Sequence, residues 1–187
     1  DQEHRVFASA IDCAVGMKNP TSGSLEIAVN GLIAAQHHHT AIFDGTEVET
    51  HGNNYAHLVL RGGENGPNYS VNHIKESLVI MQKNHIKNPA IIIDTSHENS
   101  KVNGKKSHRQ QVEVVREVMK TIKNEPELRK VVKGFMIESF IKEGNQKIDS
   151  KHPENIDFGG LSVTDPCLGW DETEKLLLEL NEAQKNI

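Results

Sequence analysis

The stretch Ile91-Ile92-Ile93-Asp94-Thr95-Ser96-His97-Glu98-Asn99-Ser100 decides the fold class. A run of β-branched residues suits a strand buried on both faces, and here it stops abruptly at a cluster of polar and metal-capable side chains. Two other runs share this layout. Gly134-Phe135-Met136-Ile137-Glu138-Ser139 ends on a carboxylate, and Ala14-Val15-Gly16-Met17-Lys18-Asn19-Pro20 ends on a lysine. In parallel α/β folds the carboxyl ends of the strands are where ligands bind and catalytic residues gather.

Working outward, helices and strands alternate as in βα units around a parallel sheet. Strands are predicted at Cys13 to Lys18, Tyr55 to Leu60, Ala90 to Thr95 and Lys133 to Ser139. Helices are predicted at Gln2 to Ala10, Ser24 to Ala35, Val71 to Asn84, Ser107 to Asn124 and Asp171 to Gln184. Their apolar residues recur at helical spacing: Leu25, Val29, Leu32 and Ile33; Ile74, Leu78 and Met81; Val112, Val115, Val118, Met119 and Ile122; Leu176, Leu177 and Leu180. Ala41-Ile42-Phe43 and Thr46 to Thr50, joined by Asp44-Gly45, read as a hairpin that interrupts the βα rhythm. Only about four strands belong to the βα series, whereas a closed parallel barrel needs eight and about 250 residues.

A chain of 187 residues suits one domain or part of a larger one. A formal charge of −5 argues against nucleic acid as a partner, because phosphate binding needs a basic surface. Basic residues are scattered except at Lys101, Lys105, Lys106, His108 and Arg109. No apolar run approaches a membrane span and no secretory signal is visible at the amino terminus, so a cytoplasmic protein is expected. The two cysteines are too few for a disulfide framework. Cys13 reads as a small buried hydrophobe at a strand start, and Cys167, two residues after Asp165, as a structural cysteine.

His97, Glu138 and Asp165 are the candidate chemistry-bearing constellation. One nitrogen and two oxygen donors suit a divalent ion such as Mn²⁺, Fe²⁺ or Zn²⁺. Taken without further information, the preferred reading is that His97 caps the loop, Glu138 pairs with a lysine and Asp165 forms a turn with Pro166. Lys18 is open to three readings: a surface lysine, a Schiff-base nucleophile, or a point charge for an anion. Arg61, before Gly62 and Gly63, has the form of an anion clamp, since glycine lets the backbone approach a ligand that the guanidinium fork can grip. His37-His38-His39 reads as structural, because adjacent side chains in an extended segment alternate faces and cannot share one ion.

Taken together, several segments closely resemble the type I 3-deoxy-D-arabino-heptulosonate 7-phosphate (DAHP) synthase family, the phospho-2-dehydro-3-deoxyheptonate aldolases. They are Val15 to Gly23, Leu60-Arg61-Gly62-Gly63, Pro67-Asn68-Tyr69, Asp94 to Ser100, Met136 to Ser139 with Glu143-Gly144-Asn145-Gln146, and Ser162 to Trp170, in the family's order from end to end.

The resemblance implies a (β/α)8 TIM barrel of which residues 1–187 would be the carboxyl-terminal half, covering about strands five to eight. It implies condensation of phosphoenolpyruvate with erythrose 4-phosphate, with release of phosphate, at the entry to the shikimate pathway. By the same analogy His97, Glu138 and Asp165 are three of four metal ligands, the fourth being a cysteine with no counterpart here, and His97 is also catalytic. Lys18 would bind the phosphoenolpyruvate carboxylate and Arg61 its phosphate. A lysine-proline-arginine segment for erythrose 4-phosphate and several further arginines are absent from this chain. The hairpin around Asp44-Gly45 is shorter than in relatives where that region contributes to feedback inhibition. A homo-oligomer is expected. The rivals are a Schiff-base aldolase using Lys18 and a non-catalytic half-barrel that keeps anion-binding strand ends without turnover.

Overall fold

A computed structural model of the chain describes residues 2–185, so Asp1, Asn186 and Ile187 of the expected 1–187 domain lie outside the described residues. In chain order the elements are α1 (Gln2–Ala10), β1 (Gly16–Lys18), α2 (Leu25–Gln36), β2 (Thr40–Phe43), β3 (Thr46–Glu49), β4 (His57–Leu60), α3 (Val71–Lys83), β5 (Ile91–Asp94), β6 (Lys101–Val102), β7 (Lys105–Lys106), α4 (Gln110–Asn124), α5 (Pro126–Val131), β8 (Val132–Met136) and α6 (Trp170–Lys185). This is an α/β fold. Its sheet has the order β1-β4-β5-β8 with every neighbouring pair parallel, and helices carry the chain from one strand back to the next. The separate antiparallel pairs β2–β3 and β6–β7 are insertions in that rhythm.

The central strands are short because nearly every residue in them is removed from water. Leu58, Val59, Leu60, Ile91 and Ile93 are buried, which explains why they read as unbroken apolar runs rather than as alternation. Leu32, Ile74, Met81, Val114, Val118 and Leu128 cover them from the helices in one continuous core. Burying each such side chain contributes about 1.5–3 kcal/mol, so truncating one to alanine is costly. Ser24 caps α2 by accepting from the Ile27 N–H at 3.3 Å. At the other end the His37 and His39 rings lie 2.8 and 2.7 Å from the Ile33 and Ala34 carbonyls. These two histidines thus close a helix end.

Several boundaries depart from the sequence expectation. Cys13 is exposed, because the chain joins the sheet only at Gly16, opposite His57. The strand expected over Lys133 to Ser139 ends at Met136, whose carbonyl accepts from Thr95 N–H at 2.9 Å. Beyond it, Glu138 has its backbone groups engaged by the Gln111 side chain and the Leu168 N–H instead of a neighbouring strand. Leu177 is 54% exposed while Leu176 is buried, since successive helical residues turn by about 100° and cannot share a face. Helix α5 and the β6–β7 ribbon were not expected. Pro126 starts α5 at a position where its missing N–H costs nothing, and Asn103, with φ of 51°, and Gly104 turn the ribbon. Among the described residues no helix is long and apolar enough to cross a membrane.

Candidate active site

The carboxyl ends of the four parallel strands deliver the candidate residues to one side of the sheet. Lys18 closes β1, Arg61 follows β4, Asp94 closes β5 and His97 opens the 3-10 turn after it. Glu138 lies two residues past β8, and Asp165 arrives on the long segment between β8 and α6. That segment folds back on itself. Gly144 and Cys167 exchange backbone hydrogen bonds of 2.8 and 3.0 Å, and Leu168 N–H donates to the Glu138 carbonyl at 2.9 Å. These bonds fix Asp165 near Glu138 despite their separation in sequence.

Asp94 organises the centre. It is fully buried, and its Oδ2 accepts from Lys18 Nζ at 2.8 Å while lying 2.9 Å from His97 Nδ1. The His97 contact has ion-pair distance, but the ring N–H does not point along it as in a well-formed hydrogen bond. Oδ1 accepts from the Ser96 N–H at 3.0 Å. Burial pushes the Asp94 carboxyl up, but His97 and Lys18 together outweigh it and hold the group below the ordinary carboxylate range. A buried anion paired with an ammonium and bonded by a backbone N–H is the arrangement that makes burial of charge tolerable.

With Nδ1 facing Asp94, His97 turns Nε2 toward Asp165, 3.6 Å from Oδ2. One donor atom from each of His97, Glu138 and Asp165 lies within 4.8 Å of the other two. Among the described residues the Glu138 carboxylate has no ion-pair or hydrogen-bond partner, and Lys106 Nζ donates to Asp165 Oδ1 at 2.5 Å. Two carboxylates held this close repel unless a cation lies nearby, and an imidazole with a second carboxylate behind it completes the donor chemistry of a divalent-ion site. The three residues fit such an ion. His97 has φ of 53°, a left-handed conformation uncommon outside glycine. That unusual backbone turns its ring back over the strand end. Cys167 is buried, its Sγ 3.4 Å from the Asp165 carbonyl, and burial pushes the thiol up, followed by the Glu138 and Asp165 charges. A thiol kept protonated suits the structural role expected for it.

Arg61 rests on a network of buried asparagines. Asn19 Oδ1 accepts from the Arg61 N–H at 2.9 Å, Asn68 Oδ1 from the Gly62 N–H at 2.7 Å, and Asn99 Nδ2 donates to the carbonyls of Leu60 and Asp94 at 3.1 and 2.8 Å. Gly62 has φ of 75°, and a Cβ there would meet Glu98 Cβ at 2.6 Å; one on Gly63 would meet Gly23 Cα at 2.4 Å. The loop is thus closed against side chains at both glycines. Arg61 Nε is buried without a hydrogen-bond partner, and no ion pair of Arg61 exists among the described residues. A buried guanidinium nitrogen with its donor unused is suited to donate to an anion's oxygen.

A family profile described as the DAHP synthetase I family matches residues 1–178. This chain belongs to the DAHP synthetase I family. It is 40% identical over 187 residues to the Trp-sensitive phospho-2-dehydro-3-deoxyheptonate aldolase of Enterobacter agglomerans, covering 97% of this chain and 50% of that protein. With the enzyme of the same name from Escherichia coli strain K12 the identity is 37%, at the same coverage. A solved phospho-2-dehydro-3-deoxyheptonate aldolase from Francisella tularensis SCHU S4 superposes with a TM-score of 0.83 at 35% identity, covering 98% of this chain and 51% of that one. The chain spans about half the length of the curated relatives it matches.

Sequence reasoning about this family member placed Lys18, Arg61, His97, Glu138 and Asp165 at strand ends, and the structure brings the last three together with Lys18 one residue away through Asp94. It missed Asp94 and Lys106. Asp94 stood in the decisive stretch itself, as a carboxylate ending an apolar run, and that position was the available signal. Lys106 belonged to the one basic run of the chain.

Proposed function

We propose that this chain is the carboxyl-terminal half of a (β/α)8 barrel that condenses phosphoenolpyruvate with erythrose 4-phosphate to give DAHP and inorganic phosphate. In this reading His97, Glu138 and Asp165 hold a divalent ion, and the preceding half-barrel supplies the fourth ligand and the remaining substrate contacts. The observation that carries it is the three-donor cluster beside two cationic side chains, Lys18 and Arg61, at the carboxyl ends of one parallel sheet. Membership of the DAHP synthetase I family supports it.

Each residue then has a task. Arg61 grips the phosphate of phosphoenolpyruvate with its guanidinium fork, carried on a backbone that Asn19 and Asn68 hold through the Arg61 and Gly62 N–H groups. Lys18, braced by Asp94, binds the carboxylate of the same substrate and sets its C3 toward the aldehyde. Fixed charges aimed in advance lower the reorganisation that the reaction requires. The bound divalent ion supplies Lewis-acid polarisation of the aldehyde oxygen. C3 forms the new carbon–carbon bond, water adds at C2, and phosphate departs from that carbon. The ammonium of Lys18, clamped by a buried carboxylate, favours this role over Schiff-base chemistry, which needs a free amine as nucleophile.

The test is phosphate release in the complete protein, in which the preceding half-barrel accompanies this chain, assayed with both substrates and Mn²⁺. Turnover that is abolished by chelator and by His97→Ala, with the fold retained, is expected. Covalent trapping of substrate on Lys18 by borohydride, with indifference to chelator, would replace this reading by the Schiff-base one.

A further inference from the structure

Among the described residues Gln111 is a fully buried amide that faces no ligand. It sits near the start of α4 on the same side as Val115, Val118 and Ile122, spaced from it by four, seven and eleven residues, and it is fully buried. A polar side chain on an apolar stripe must find partners, and all those of Gln111 lie at the candidate site. Its Oε1 accepts from the Glu138 N–H at 2.9 Å and lies 3.0 Å from the Thr95 hydroxyl. Its Nε2 donates to the Glu138 carbonyl at 3.0 Å. The same carbonyl accepts from Leu168 N–H at 2.9 Å, three residues beyond Asp165.

We propose that Gln111 is a positioning residue for the divalent-ion site: it reads both backbone groups of Glu138 and bonds Thr95, two residues before His97, while the Asp165 segment joins at the Glu138 carbonyl through Leu168. The inference rests on the metal-site assignment of His97, Glu138 and Asp165. The backbone N–H of Glu138 fixes which end of the carboxamide carries oxygen, and the carbonyl of the same residue fixes which carries nitrogen. A carboxamide presents a donor and an acceptor side by side, as this pair of backbone groups requires, without a change of protonation. The result is that Glu138, released from the sheet two residues past β8, keeps one backbone orientation. Its carboxylate, otherwise without a partner, is held in place only through that backbone. Thr95, two residues before His97, is drawn to the same oxygen. Metal sites depend on such outer contacts nearly as much as on the ligands, because a misplaced donor loses its bond to the ion.

The test uses the complete protein and Co²⁺ as both titrant and optical probe. Gln111→Met keeps the length and volume of the side chain and deletes its hydrogen bonds, while Gln111→Glu sets an acceptor against the Glu138 carbonyl. Each is expected to weaken Co²⁺ binding by about ten- to a hundredfold and, at saturating metal, to alter the visible ligand-field bands. Val118→Ala, which thins the same helix face away from the site, is expected to lower thermal stability with the affinity and the bands unchanged. His97→Ala is expected to abolish binding; if it does not, the metal assignment itself is wrong. If His97→Ala abolishes binding while both Gln111 variants bind Co²⁺ normally with the wild-type spectrum, the positioning role is overturned. Failure of both Gln111 variants to fold, with Val118→Ala folded, would also overturn it, since Gln111 would then serve the stability of the core.

Discussion

The ends of β1, β4 and β5 and the segment beyond β8 face the same site but are built differently. Around Arg61, three asparagines from three separate loops hydrogen-bond one another and the backbone, and all three are buried. Beyond β8, Phe140, Ile141, Ile148, Phe158 and Trp170 are exposed, as are Leu177 and Leu178 on α6. The asparagine network of the first region is closed by hydrogen bonds within this chain. The second region exposes apolar side chains as an interface does, and its order rests on bonds to Gln111 and Lys106 and on side-chain and backbone bonds within the segment. The anion-binding side is therefore expected to tolerate separation from the rest of a barrel, and the donor side to need it.

The largest effect should come from leaving the second region uncovered. The chain by itself is expected to show no phosphate release above background with both substrates and Mn²⁺, and to self-associate in sedimentation, because exposed apolar side chains and unpaired strand edges invite pairing with another chain. A monodisperse monomer with robust turnover would erase the contrast. On the closed side, Arg61→Lys in the complete protein should raise the KM for phosphoenolpyruvate by about tenfold, since a point charge replaces a two-pronged grip on phosphate. An unchanged KM would remove Arg61 from the substrate site.

A smaller effect is expected within the asparagine network. Asn99→Ala should lower stability by about 1–3 kcal/mol, because the Asn68 N–H and the Leu60 and Asp94 carbonyls lose a buried partner. Denaturant unfolding measures it, and a change below about 0.5 kcal/mol, the usual bound for an inert surface site, would show the network to be dispensable. The smallest effect lies where α6 meets α4. Arg116 forks onto Glu179 with two bonds of 2.9 Å and holds its carboxyl below the ordinary range. A lowered folded-state pKa means stability that is present above the unfolded glutamate pKa and lost as pH falls through the folded one. Both groups are half exposed, so Glu179→Gln should cost only about 0.2–1 kcal/mol near neutral pH, less in high salt, and nothing in strong acid.

Much of this layout was legible in the chain. Buried strands such as Ile91 to Ile93 announce themselves as apolar runs, and their ends are where polar side chains must reappear, so Lys18, Arg61 and His97 could be placed from position alone. Glu138 and Asp165 were candidates from the sequence, but choosing the metal reading over a lysine partner and a turn required the family resemblance, because loop length gives no indication that Leu168 will return to the Glu138 carbonyl. Asp94 escaped notice because its meaning lies in a partner 76 residues away. Gln111 was passed over although it broke an apolar stripe at helical spacing. The last strand ended three residues early, where the Gln111 side chain takes over the backbone hydrogen bonds of Glu138. The exposure of Cys13 followed from a strand that begins later than the apolar pattern alone indicates, and that of Leu177 from its neighbour Leu176 taking the inward face.

The central claim is that His97, Glu138 and Asp165 hold one divalent ion beside Lys18 and Arg61. Crystals of the complete protein grown with Mn²⁺, and measured at the manganese absorption edge, test it most directly. A single strong anomalous peak should lie about 2.0–2.2 Å from His97 Nε2 and from one oxygen each of Glu138 and Asp165, distances typical of first-row metal–nitrogen and metal–oxygen bonds. A peak bound by other residues, or none at saturating Mn²⁺, would contradict the account.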